Sequence, residues 1–355
     1  MSIRVNSLLL HRTVRRDLLV FLAALLLPAC AFHKTMTSQP VELPMVYSAI
    51  QIIHAERHNT GGFSSLWLSP DCSFLITISD YSQAKDEVLD KPVRRSAWYQ
   101  AKLHFNAEDS ISDLTFVATG QLKDLDGTTL QGAVESIASD KNGFLISFDD
   151  RGTIYRYANL SSKSDVRLKG QALNNKPSVA YSQENLGSGN LGLESITLLN
   201  NGDLLALWET EFDESLAQGR LIKTDGQKLD LVYATGASPG GATTLSDGRV
   251  LILEKRWLGS KRGQRIRLAT IDQSQLKQKN LILSAPIHGK TLFDQTSKYY
   301  DNSEGISACR RNGREWIFVI TDDNGDWSRA NVEDKGHKRQ KTLLLQFSLD
   351  ELTDP

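Results

Sequence analysis

Apolar and polar positions alternate along this chain in short runs, and the runs come in pairs across tight turns. The clearest pair is Ser195–Leu199 and Leu204–Trp208, on either side of Asn201-Gly202. A period of two predicts strands, and Asn-Gly supplies the positive φ that a hairpin turn needs. Gly192-Leu193-Glu194 leads into the first strand, and Glu209 ends the second.

Four relatives of this unit recur. Ala133–Ala138 leads through Asn142-Gly143 into Phe144–Phe148 and Asp149-Asp150. Ser303–Ser307 leads through Asn312-Gly313 into Trp316–Ile320 and Asp322-Asp323-Asn324. Gly240–Leu245 leads through Asp247-Gly248 into Val250–Leu253 and Glu254-Lys255-Arg256, and Gly61–Leu66 leads through Pro70-Asp71 into Phe74–Ile78 and Ser79-Asp80. The spacing of roughly 50 to 75 residues is that of a repeat architecture, in which single hairpins bury their apolar faces on one another.

Further strands are predicted at Val46–Ile53, Trp98–Phe105, Ile111–Ala118, Thr153–Tyr157, Arg220–Lys223, Leu229–Tyr233, Ile266–Ile271, Leu281–Ser284 and Thr342–Phe347. Residues 80–96, 159–190, 256–265 and 286–302 read as loops, with a short helix at 83–90 or 272–279. No long 3.6-residue period appears. The reading is all-β, a β-propeller over 46–350 whose closed ring hides its strand edges. Units longer than those of WD repeats suggest six blades. A two-domain sandwich would need a break in the repeat, and none is visible.

The N-terminus changes the picture. Arg12, Arg15 and Arg16 precede the apolar run Leu18–Leu27, which is too short for a permanent span. Leu27-Pro28-Ala29-Cys30 resembles a lipobox, so residues 1–29 read as a signal peptide, Cys30 as a lipidated residue, and 30–45 as a polar tether. Cleavage near Ala29 or Ala31, giving a soluble exported protein, is the alternative, and Val14–Leu19 also resembles a twin-arginine signal. Either route places the protein in a bacterial envelope, on the periplasmic side, touching membrane through Cys30 only. The 326 residues from Cys30 onward carry a net charge of about −4, which offers no nucleic-acid surface. A monomer is expected. Cys72 and Cys309 lie in the first and last units, which a ring would bring together. Two unrelated small residues remain the simpler reading.

Candidate chemistry lies in the acids. Glu135, Glu194 and Glu304 occupy equivalent places in three units, so ring closure would turn them toward one central tunnel. Converging carboxylates repel unless a cation offsets them. Oxygen ligands suit Ca²⁺ or Mg²⁺, and the absence of His and Cys argues against zinc. The alternative is structural carboxylates paired with N–H groups or Arg. Asp80, Asp149, Asp150, Glu209, Glu254, Asp322 and Asp323 end second strands and read as ligands or as turn caps, with Asn302 and Asn324 as neutral ligands. Asp124–Thr128 resembles a calcium loop without its far acid and reads as a turn, and His54 and His58 lack a helix to pair them. Ser136 and Ser195, the candidate nucleophiles, have Gly305 as their counterpart in the last unit. Two functions follow. One is a metal-dependent hydrolase of a small ester or phosphoester, with Asp80, Glu194 and Arg256 catalytic and Arg57 or Arg94 also offsetting substrate charge. The other is a non-catalytic propeller that binds an envelope ligand or protein around a structural cation.

Six stretches carry a family resemblance: Gly61–Leu66 with Thr77–Asp80, Val134–Ala138, Gly192–Ile196, Leu253–Arg256, Ser303–Ile306 and Thr321–Asn324. In these the chain resembles the bacterial phytase-like family, "esterase-like activity of phytase", which implies an association with ester and phosphoester hydrolysis. Two positions depart from the family pattern. Lys255 stands between Glu254 and Arg256, where a direct Glu-Arg step is usual, and Tyr81 follows Asp80 in place of Arg.

Mass spectrometry of the exported protein should find a diacylglyceryl group on Cys30. An unmodified N-terminus downstream of Cys30 would end the lipoprotein reading.

Overall fold

The computed structural model describes residues 36–43, 46–54, 62–85, 92–130, 134–148, 153–158, 160, 178–182, 192–210, 215–259, 262–276, 285–297, 300, 302–322 and 341–353. The expected signal peptide and Cys30 lie outside them. The chain opens with β1 (Met36–Val41) and β2 (Ser48–His54). The first sheet is β3 (Phe63–Leu68), β4 (Phe74–Lys85), β5 (Pro92–Phe105) and β6 (Ile111–Gln121); the second is β7 (Val134–Asp140), β8 (Gly143–Phe148), β9 (Thr153–Tyr157) and β10 (Ser178–Ser182). The third holds β11 (Ser195–Leu198), β12 (Leu204–Leu207), β13 (Leu216–Ile222) and β14 (Lys228–Ala234). The fourth holds β15 (Ser238–Thr244), β16 (Val250–Trp257), β17 (Gln264–Ile271) and, after α1 (Gln273–Leu276) and β18 (Ile287–His288), β19 (Lys290–Ser297). β18 reaches back to pair in parallel with β14. The fifth joins β20 (Asn302–Arg311), β21 (Arg314–Asp322) and β22 (Thr342–Ser348) to β2 and β1, and α2 (Leu349–Thr353) follows.

The first strands β3, β7, β11, β15 and β20 touch one another in that order, and β20 returns to β3. This is a closed β-propeller of five blades, not six. The length beyond a WD-type unit goes into long strands and connections. β4 and β5 continue as a hairpin through much of 80–96, expected to be loop, and β19 fills about half of 286–302. The N-terminal strands complete the fifth blade instead of starting a sixth. The expected tether contributes β1 to that blade, and the expected helix at 272–279 is a single turn at Gln273–Leu276.

The core follows from this geometry. Each blade is covered on both faces, so the middle of its second strand is largely apolar and its alternate residues enter different cores. In β21, Trp316, Phe318 and Ile320 pack toward the first blade, while Ile317 and Val319 pack toward the fourth. Five apolar clusters result, one in each interface between neighbouring blades. The turns form as their residues predict. Gly202 has φ 85°, and in the first unit Cys72 takes the positive φ, at 60°.

The seam between the fifth and first blades is stitched most heavily. Cys72 and Cys309 form a disulfide across it, overturning the reading of two unrelated residues. Ring closure brings their Cα atoms to 5.3 Å although 237 residues separate them. Nearby, Arg311 Nε meets Asp109 at 3.0 Å, and Gln346 receives Ile111 N–H at 2.7 Å while donating to Asp109 O at 2.8 Å.

Reducing the disulfide, or Cys309→Ser, should cost about 2–5 kcal/mol of stability, because a cross-link over a long loop constrains the unfolded chain. Urea melts with and without reductant check this. An unmoved midpoint would mean that strand pairing alone holds the ring shut.

Candidate functional site

Each inner strand starts at the same end of the propeller, and there the strand pairing skips a residue. The register of β3 jumps between Phe63 and Ser65, that of β7 between Val134 and Ser136, that of β15 between Pro239 and Gly241, and that of β20 between Ser303 and Gly305. The bulged residues are Ser64, Glu135, Gly240 and Glu304. Glu194 stands at the same level, immediately before β11. A bulge bends its strand and re-aims the extra side chain; Glu135 and Glu304 are such residues, and Glu194 holds the equivalent position before β11.

The next residue of each strand faces a neighbouring blade at close range, and all five are small: Ser65, Ser136, Ser195, Gly241 and Gly305. A Cβ on Gly305 would lie 2.7 Å from Leu66 N, and one on Gly241 would lie 2.9 Å from Glu304 O. The serines differ among themselves. Ser136 Oγ accepts Ile196 N–H across the blade interface at 3.1 Å, whereas the hydroxyls of Ser65 and Ser195 are buried without a partner among the described residues. The described histidine side chains lie away from them, His104 in β5 against Thr115 and His288 exposed in β18.

Strand pairing also fixes the second acid position. Asn302 pairs Asp322, and Ser238 pairs Lys255. The residue equivalent to Asp80, Asp149, Glu209 and Asp322 is therefore Lys255, not Glu254. Lys255 crosses the bare bulge at Gly240, where a Cβ would come within 2.9 Å of its Cδ. Its ammonium lies 2.9 Å from Glu304 Oε1 and 3.7 Å from Glu194 Oε2. Asn302 Nδ2 donates to the same Glu304 oxygen at 2.6 Å. Burial opposes the charge on Lys255, but Glu304, Glu194 and Glu209 outweigh it and raise its pKa well above the ordinary value. The cation between Glu194 and Glu304 is thus part of the chain.

Glu254 belongs to a different arrangement on the other face of β16. Fully buried, it receives Arg267 Nη1 at 2.6 and 2.7 Å, Tyr233 Oη at 2.6 Å, Gly236 N–H at 2.8 Å and Ala237 N–H at 3.1 Å. Burial first, and then Glu254, raise the pKa of Tyr233. This carboxylate locks the third blade to the fourth.

Among the sequence candidates, Glu194 and Glu304 meet through Lys255, and Glu135 sits half-buried at the matching bulge of β7. Arg256 follows Lys255 and so projects from the opposite face of β16, and it does not join the lysine. The backbone of Asp80 lies at a second bulge, between Ser79 and Ser82 of β4, but its side chain is outside the described set. Arg57, His58, Asp149, Asp150, Asp323, Asn324 and His337 lie outside the described residues, as do the side chains of His54 and Arg94. Lys255 was visible in the sequence only as a departure from the Glu-Arg step.

Lys255→Met should cost about 3–5 kcal/mol, since it leaves buried acids uncompensated, and adding Glu304→Gln should restore part of that. The folded pKa of Lys255 lies above its ordinary 10.5. Its contribution is therefore complete below 10.5 and lost as pH rises through the folded value. Thermal melts of wild type and variant should converge only in strong alkali; convergence near neutrality would refute the assignment.

The model of the phytase-like family, described as esterase-like activity of phytase, matches residues 58–325. No curated protein matches the chain. Among solved structures, the allergen Mala s 1 of Malassezia sympodialis is similar at 10% identity, over 88% of this chain and 90% of that one, with a TM-score of 0.43. A β-xylosidase/α-arabinofuranosidase from a compost microbial metagenome is similar at 9% identity over 82% and 94%, with a TM-score of 0.40. The glutaminyl cyclase of Myxococcus xanthus is similar at 11% identity over 85% and 97%, with a TM-score of 0.38. The family match runs from before β3 to beyond β21 and so takes in the inner strand of every blade: the chain belongs to the phytase-like family.

Proposed function

We propose that the protein is a hydrolase of the cell envelope that acts on an ester or phosphoester at the acid-lined axial end of the propeller. The observation that carries this reading is the cluster of Glu194, Lys255 and Glu304 within the span matched by the family. In the reaction, water attacks the acyl or phosphoryl centre, Glu194 takes its proton and returns it to the departing oxygen, and Lys255 stabilises the charge that develops on the attacked group. Glu304 and Asn302 position the ammonium. An envelope location is supported by the disulfide, which persists in oxidising compartments, together with the lipobox at Cys30.

The ammonium 2.9 Å from Glu304 argues against calcium or magnesium between Glu194 and Glu304. Among the described residues, no three His, Cys, Asp or Glu side chains come together as a metal-binding group. No step is therefore assigned to a metal. The second reading, a binding propeller without catalysis, is favoured by the same ion pairing, which lets the acids serve the fold alone.

The test is turnover of a panel of carboxylic esters, lactones and phosphoesters, phytate included, by the exported protein. At least one class should be hydrolysed, chelator should leave the rate unchanged, and Glu194→Gln should lower kcat by roughly 100-fold or more. No turnover of any class by folded protein would leave the binding reading. Loss of turnover with chelator, restored by Ca²⁺, would overturn the metal-free mechanism.

A further inference from the structure

We infer that the end of the propeller bearing the axial cluster faces the membrane and docks on an anionic phospholipid surface. Three features meet at that end. First, the large hydrophobics with marked exposure among the described residues are Val117, Leu216 and Trp257, and two of them project there. The first strand of each blade starts at that end, the second returns to it, and the third leaves it again. Leu216 opens β13 and Trp257 closes β16, so they sit on adjacent blades at the same end, 47% and 46% exposed. Val117 lies partway along β6.

Second, the two sides of the turn after Trp257 are tied together by backbone hydrogen bonds, and Arg262 adds positive charge there. Leu258 N–H donates to Gly263 O at 2.9 Å, and Gly263 N–H donates to Gly259 O at 2.8 Å. The exposed Arg262 donates Nε to Leu258 O at 3.3 Å. An indole beside arginine, with a leucine at the same end of the next blade, suits the headgroup boundary of a bilayer, where the ring sits among the headgroups and the cation meets anionic lipid. Of the axial acids, Glu194 and Glu304 are largely buried and offset by Lys255.

Third, the chain enters the domain at this end. β2 ends at His54 beside the axial end, and Met36 pairs with His54, so β1 starts there. Five residues separate Cys30 from Met36, a reach of at most about 17–20 Å. A lipid on Cys30 would hold this end against the bilayer, and Leu216 and Trp257 would meet it. This step rests on the Cys30 reading; the exposed apolar pair does not. The consequence is that a substrate reaches the axial site from the membrane side.

The test uses the exported protein carrying Cys30→Ser, which removes the anchor, with vesicles of phosphatidylcholine with and without phosphatidylglycerol. Binding should require phosphatidylglycerol, weaken with salt, and fall roughly tenfold in Trp257→Ala and in Leu216→Ser, with melting temperatures unchanged. In the anchored protein, brominated lipids should quench tryptophan emission, and Trp257→Phe should abolish the quenching. No vesicle binding, together with no quenching in protein whose Cys30 is lipidated, would overturn the inference, as would lipid binding untouched by both substitutions. Vesicle binding of protein found without a lipid on Cys30 would uphold this face and remove only the anchor. The turnover panel, run on soluble substrates, tests the hydrolase reading independently.

Discussion

The close approach of five inner strands around one axis governs the rest of the structure. So few blades leave no room for side chains where neighbouring backbones meet, and Gly241 and Gly305 show the limit: a Cβ at either would lie within 3 Å of the next strand's backbone. Serine serves at the other three positions, and one of those serines links two blades by a hydrogen bond. Immediately before this small residue, four of the strands bulge, and the fifth begins one residue later. The acids thus reach the axis because the strands cannot pack without a small residue at the next position.

That geometry sets an electrostatic problem. Carboxylates from separate blades are forced to one end of a buried axis, where their repulsion is poorly screened. A bound ion would answer it at the mercy of ion supply, since binding stabilises only in proportion to occupancy. Lys255 answers it from within the chain. Its path depends on Gly240, the one bulge residue without a side chain, so the missing acid of the fourth blade and the added base are two halves of one substitution. Because the acids raise the lysine's pKa in spite of its burial, the balance holds throughout the neutral range.

The sequence made the hairpins legible because their signals are local: alternation, Asn-Gly or Asp-Gly turns, and an acid at each end. Blade number was not legible, because it depends on whether Val46–Ile53 starts a new sheet or closes an old one, and that is decided by pairing with Thr342–Ser348, almost 300 residues away. The same holds for Cys72 and Cys309. The most instructive error concerns Glu254. Aligned by its neighbours, Glu-Lys-Arg appears to offer Glu254 as the repeat acid. The correct alignment needs the bulge at Gly240, and a glycine leaves no acidic mark at the place where the register slips. Lys255 was in view as an anomaly, but only pairing with Ser238 gave it its place.

Alternation along β16 then separates two carboxylate systems that the sequence could not tell apart. Glu254, with no exposed surface, receives donors from Arg267, Tyr233 and two backbone amides. Its lone pairs are committed, and removing a proton from water would mean breaking bonds that join two blades. On the other face, the side chains of Glu194 and Glu304 keep 8% and 13% exposure beside the ammonium of Lys255. Of these two, Glu304 is held by both Lys255 and Asn302 at hydrogen-bond distance, whereas Glu194 stands 3.7 Å from the lysine. Glu304 is the carboxylate that fixes the cation. In the hydrolysis proposed above, proton exchange therefore falls to Glu194 and the anchoring of the ammonium to Glu304.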